Sequence, residues 1–333
     1  MKALVKTCGI IALFLLGFGV ALTVAGCALG GADKVSSVVN DVTKGKVKVE
    51  LGEDGSFGSF NIAGYSSNDV VDAVQGLLDN KLYNIDDFGS IFDDGQKTLQ
   101  GNVEKFMLSA DEVEKLRIDI GGGELTIIES DDNDFWVEAK NVKKFQAYVK
   151  DDTLRVISTA TGTISGADLK NIKITLSVPK DFMFDEVKMQ LGAGVVKSQE
   201  RLLAKEMKLE LGAGEGSFDG ISCDKLEATC GAASLKIKDG ELGKTEFKIG
   251  AGSVEFEGVI SDDVKVACGA GNLSMKLSNQ YSDFDYKVEC ALGNVKLGEK
   301  KYSGLAKTEK IDNDADAEMK IECGAGNVTV SFE

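Results

Sequence analysis

The chain has 333 residues, 43% of them hydrophobic, with 39 glycines, one proline and no histidine. So much glycine with almost no proline excludes a collagen-like repeat and suits short strands joined by tight turns. The missing histidine removes Ser-His-Asp and Cys-His catalysis and every histidine metal site, and a net charge of −16 disfavours nucleic acid and anionic headgroups as partners.

At the N-terminus, Lys2 and Lys6 precede an apolar run from Cys8 to about Ala32 without a charge. Roughly 20 apolar residues cross a bilayer, so residues 1–32 are expected to form a membrane anchor, one transmembrane helix. The lysines stay inside, which puts residues 33–333 on the extracytoplasmic side. Within the run, "VAGC" (Val24 to Cys27) is similar to the bacterial lipobox, where lipid is attached to the cysteine. An uncleaved signal-anchor and a lipoprotein lipidated on Cys27 are the two leading alternatives and tether the same domain; a fully released protein is the third.

Residues 33–110 read as an acidic stalk or spacer with little core of its own. An edge strand is expected at 46–51. A short helix is expected near 69–80, where Val70, Val71, Val74, Leu77 and Leu78 recur at helical spacing.

From about residue 111 to 333 the chain becomes a repeat. "LRIDIGGGELTII" (116–128) is followed by "VKMQLGAGVVKS", "MKLELGAGEGSF", "LEATCGAASLKI", "TEFKIGAGSVEF", "VKVACGAGNLSMKL", "YKVECALGNVKL" and "MKIECGAGNVTVSF". The first turn residues fall at Gly192, Gly212, Gly231, Gly250 and Gly269, then at Ala291 and Gly324 after longer steps that imply insertions. A period of 19–20 residues marks a solenoid. Alternate residues of a strand share a face, so Val264, Val266 and Cys268 point inward. The position before the turn reads Leu191, Leu211, Cys230, Ile249, Cys268, Cys290 and Cys323, a buried column in which cysteine acts as a small hydrophobe. The expected fold is therefore all-β: a β-helix-like solenoid with rungs of about 19–20 residues, preceded by the N-terminal helix. Residues 129–186 match the repeat loosely and suit wider rungs or a sheet-like start. Phe332, inward in phase at the chain's end, implies a last rung that is capped or slightly exposed.

The anchor, the acidic stalk and the repeated I-G-A-G-x-V units resemble the bacterial "putative-adhesin" β-strand-repeat family, a domain of unknown function. The resemblance implies a β-helix on a bacterial surface and carries no functional residues with it. Cysteine in place of the family's usual leucine or isoleucine implies a reducing or anaerobic habitat, where exported thiols survive.

Site chemistry is sparse. Cys230, Cys268, Cys290 and Cys323 are 38, 22 and 33 residues apart, without the short C-x2–4-C pairs of a structural zinc site. Free core thiols are the expectation, with a disulfide open to Cys290 and Cys323 if their rungs adjoin. Cys223 falls outside this column, as a half-buried strand residue or a reactive thiol. Asp312, Asp314 and Asp316 in "DNDADAE" (312–318) begin like a calcium loop, but the sixth-position glycine is missing and Cys323 stands where the closing glutamate belongs. "GAGEGS" (212–217) breaks the dinucleotide fingerprint at its last glycine, so no cofactor is expected. The sequence thus reads as a non-catalytic cell-surface β-repeat module, adhesin-like or envelope-associated. The alternatives are a glycan-acting β-helix enzyme or a calcium-dependent surface module. The expected partners are a membrane, through the N-terminal helix, and envelope or host-surface components, with no nucleic acid.

Overall fold

The computed structural model describes residues 47–51, 57–62, 92–159, 171–303 and 307–333. The chain divides into a unit Met1–Ile85 and a larger unit Asp86–Glu333. In the first, β1 (Val47–Leu51) pairs antiparallel with β2 (Phe57–Ile62), a strand where one was expected. The anchor, Cys27 and the helix near 69–80 lie outside the described residues. Among the described residues no helix is long and apolar enough to cross a membrane.

The larger unit is one 16-stranded sheet wound into a coil. β3 (Leu99–Leu108), β4 (Lys115–Glu129), β5 (Phe135–Lys150), β6 (Thr153–Thr159) and β7 (Lys173–Val178) build its N-terminal end. β8 (Met183–Cys230), β9 (Ser234–Ile249), β10 (Ser253–Ile260), β11 (Val264–Cys268) and β12 (Asn272–Leu277) form the regular rungs. β13 (Phe284–Cys290), β14 (Asn294–Leu297), β15 (Lys300–Ser303), β16 (Lys307–Ile311), β17 (Ala317–Cys323) and β18 (Asn327–Phe332) close the C-terminal end.

Neighbouring rungs pair in parallel, along as many as three stretches. Between β8 and β9 these are 215–218 on 234–237, 221–223 on 240–242, and 225–230 on 244–249. Inward side chains from the three stretches fill the coil. Leu191, Leu211, Cys230, Ile249, Cys268, Cys290 and Cys323 are all 3% exposed or less, so the expected column is core. Cys223 is buried as well. It stacks on Leu242 in the second stretch, and Leu242 stacks on Ile260.

Close approach explains the first corner glycine. A Cβ on Gly231 would stand 2.8 Å from the carbonyl oxygen of Gly212, so any side chain would prise the rungs apart. Gly214 needs glycine for a second reason: φ is +115°, and a Cβ there would collide with the oxygen of Gly194.

Both ends depart from sequential stacking. At the N-terminal end β4 lies against β8, while β6 and β7 together fill the slot between β4 and the antiparallel β5. At the other end β13 and β14 skip a slot and β15 and β16 cap them antiparallel. β17 and β18 then return into the gap, between β11/β12 and β13/β14. The 33-residue step in the repeat is this detour. Phe332 therefore does not end the stack: it packs edge-on against Tyr281 and Tyr286, with ring centroids 5.6 and 6.4 Å away.

The spacer expected to run to residue 110 is shorter than its composition suggested. β3 joins the main sheet by pairing with β5, so residues 99–108 belong to the solenoid unit. Three register shifts along β3 break the in–out alternation that would have marked it as a strand.

Candidate functional site

The one place where nucleophilic side chains gather, among the described residues, is the cysteine column. Cys268 and Cys323 are partners on adjacent strands, and Cys323 is in turn the partner of Cys290. Cys230 stands apart because Ile249 occupies the rung between it and Cys268. All four thiols, and that of Cys223, are free. Each thiol of the contiguous three donates to a carbonyl three residues on: Cys268 Sγ to Gly271 at 3.3 Å, Cys323 Sγ to Gly326 at 3.3 Å, and Cys290 Sγ to Gly293 at 3.1 Å. The sulfurs also lean under the following rung, so a Cβ on Gly326 would meet Cys268 Sγ at 2.8 Å and one on Gly293 would meet Cys323 Sγ at 2.7 Å.

Burial governs their acidity. It pushes Cys230 and Cys223 up to about 12, and Cys290 up to about 11. The contact with Cys268, and then burial, raises the Cys323 thiol, while the same contact lowers Cys268. Cys223, Cys230, Cys290 and Cys323 are thus held protonated, and all five thiols are enclosed while the rungs stay closed.

The calcium candidates are arranged otherwise. Asp312, Asp314 and Asp316 are all exposed in the turn between β16 and β17. The turn is organised by inward-pointing donors: Asp285 Oδ1 accepts from the backbone N–H of Asn313 and Ala315, and Asn313 Nδ2 donates to the Phe284 carbonyl at 2.7 Å. Among the described residues no group of three or more carboxylate or cysteine side chains is set to hold a metal ion.

The outer faces carry rows of side chains in strand register. Lys265, Lys320, Lys287 and Lys310 follow one another across four strands. Like charges so stacked repel, and neighbouring carboxylates offset them: Lys265 lies 2.8 Å from Glu246, Lys320 2.5 Å from Glu322 and Lys287 2.9 Å from Glu289. An open groove of about 320 Å³ crosses this face, lined by charged side chains that include Lys225, Lys244, Glu246, Asp263, Glu318 and Lys320.

Two features went unseen in the sequence. Around the corner from the cysteines, Asn327 Nδ2 donates to Asn272 Oδ1 at 2.9 Å, and Asn294 Nδ2 donates to Asn327 Oδ1 at 3.0 Å. Its signal was available: among the repeats quoted, only the three neighbouring rungs combine cysteine with a Gly-Asn pair four residues on. The second is Asp119, whose fully buried carboxylate is held by Arg117 at 2.8 Å and raises the guanidinium pKa. It sits at an outward position of its strand, between inward Ile118 and Ile120, where alternation alone predicts exposure.

A model of the Toastrack DUF4097 family matches residues 113–323. No curated protein matches the chain. Among solved structures, a putative cell adhesion protein from Clostridium sporogenes is 17% identical, with 72% of this chain and 100% of that one covered and a TM-score of 0.32. A putative adhesin from Bacteroides fragilis is 14% identical, covering 70% and 97%, at 0.40. A putative lipid binding protein from Parabacteroides distasonis is 14% identical, covering 71% and 97%, at 0.35.

Proposed function

The chain belongs to the Toastrack DUF4097 family, and we propose that it serves as a non-catalytic, membrane-tethered surface module. Its outer strand faces engage an envelope or host-surface polymer, and residues 33–333 lie on the extracytoplasmic side. The observation that carries this reading is the outer surface. Side chains such as Lys265, Lys320, Lys287 and Lys310 repeat in register, at strand spacings of about 4.8 Å, along a capped stack. A repeating array suits a repeating ligand, because each weak contact is multiplied along the length. The uncharged run Cys8 to Ala32 behind Lys2 and Lys6 supports the tether, and the overall acidity disfavours nucleic acid as the ligand.

The test has two arms. Protease added to intact cells that express the full chain should digest the solenoid, and a chain protected until lysis would end the surface assignment. The detergent-purified chain should co-sediment with isolated cell envelopes, and less so when Lys265 and Lys320 are both changed to glutamate. Sedimentation unchanged in that variant would remove this face from the binding role.

A further inference from the structure

The three contiguous thiols have a use beyond core packing, and it follows from the order in which the rungs are laid down. The C-terminal rung is last in the chain yet enters between two rungs that precede it in sequence. Nothing covalent holds it there, since Cys268, Cys290 and Cys323 are all free.

Register brings these thiols within bridging distance. Adjacent strands lie about 4.8 Å apart, inside the roughly 4.4–6.8 Å that separates the Cα atoms of bonded cysteines. Cys230 is two strand spacings from Cys268, with Ile249 between, and that span exceeds what a disulfide can bridge. Cys323 is therefore the common partner of exactly those two neighbours that flank its slot. We propose that the Cys268–Cys323–Cys290 ladder is a redox latch, in which a disulfide from Cys323 to either neighbour locks the C-terminal rung into the solenoid.

The oxidant is a low-molecular-weight disulfide. The Cys323 thiolate attacks one of its sulfurs, forming a mixed disulfide and releasing one small thiol. The thiolate of Cys268 or Cys290 then attacks the Cys323 sulfur, forming the protein disulfide and expelling the second small thiol. The protein loses two electrons and two protons, and the oxidant becomes two thiols. Cys290 can afterwards attack the Cys323 sulfur of a 268–323 bridge, releasing Cys268 as the thiolate, so the latch shifts by one rung without further oxidant.

Two features make this a switch and not a permanent crosslink. The thiols are no more than 3% exposed, so the chemistry runs while the rung is out of its slot or opening from it. Parallel stacking also holds Cβ atoms near the strand spacing, wider than the usual ~3.8 Å of a disulfide. The bond must draw the rungs together, which places it at the reducible end of the scale.

The full chain, purified reduced in detergent, is incubated with oxidised glutathione at a urea concentration just below its unfolding transition. Free thiols are alkylated and the linked peptides mapped by mass spectrometry. Linkages 268–323 and 290–323 should account for the ladder's disulfides, and the urea midpoint should rise by roughly 1 M. In Cys268→Ile, which copies the neighbouring Ile249 rung and so should fold, the product should be 290–323 alone. A dominant linkage through Cys230 or Cys223, a direct 268–290 bond, or no intramolecular bond at all would overturn the latch.

Discussion

Asn327 donates its side-chain amide to Asn272 at 2.9 Å across 55 residues of sequence, and receives one in turn from Asn294 at 3.0 Å. The two bonds run on either side of one rung and mark it as interior, although it ends the chain. Removing the middle amide breaks both links. Asn327→Ala should cost about 1 kcal/mol, at the lower end for two hydrogen bonds because the amides are exposed. In a double-mutant cycle with Asn272→Ala the two costs should fail to add, and strict additivity by urea unfolding would mean that the ladder contributes nothing.

The corner glycines make a graded prediction. Gly214→Ala meets both an unfavourable φ of +115° and the carbonyl of Gly194, and should destabilise by about 3 kcal/mol or more. Gly101 also has a positive φ, +75°, but a Cβ there meets nothing within 4 Å. Gly101→Ala should cost only the backbone term, about 1–2 kcal/mol. Equal losses in thermal unfolding would show that the stacking of corner backbones is not what demands glycine.

Alkaline pH should weaken the fold through the buried thiols. Burial raises Cys230 from 9.0 to about 12, so the unfolded chain gives up this proton first. The contribution of Cys230 is complete below about pH 9 and declines as pH climbs from there towards 12. The decline is about 1.4 kcal/mol per pH unit for one such thiol. Cys230→Ala should lower stability at pH 8 yet flatten the fall between pH 9 and 11, as read from urea midpoints. Parallel pH profiles for parent and variant would show that Cys230 is not held protonated by the core.

The repeat was legible because a strand exposes its inside and outside alternately. Val264, Val266 and Cys268 could be placed in the core, and Lys265 outside it, without coordinates. Which rung lies beside which was not legible. Period and alternation describe each rung's own faces, whereas rung order depends on which free edge the returning chain meets. The hydrogen bond from the Gly324 N–H to the Cys268 carbonyl, 2.8 Å long, depends on β13–β16 having been built one slot further on. β3 was missed for a local reason, its bulges at Gly101 and Val103 having erased the alternation. Cys230, Cys268, Cys290 and Cys323 lie in the core where alternation puts them, and Cys223, expected half-buried or reactive, is buried too. Their grouping into three neighbours could follow only from the rung order.

Deleting residues 317–333 should do more than shorten the stack. It would leave β11 and β12 facing β13 and β14 across an empty slot, with backbone groups unpaired on both sides. The truncated chain should lose cooperative unfolding over residues 284–311 as well, seen as a far-ultraviolet circular dichroism loss larger than one rung accounts for. A loss limited to one rung would fit simple end-to-end stacking instead.

Native-state hydrogen exchange of the last rung is the most direct test of this architecture. If residues 319–332 lie between two other rungs, their amides should be protected as strongly as those of 245–256 in the middle of the coil. Exchange there that is orders of magnitude faster, like that of a fraying terminus, would mean that the C-terminal rung is an end and that the inserted order is wrong.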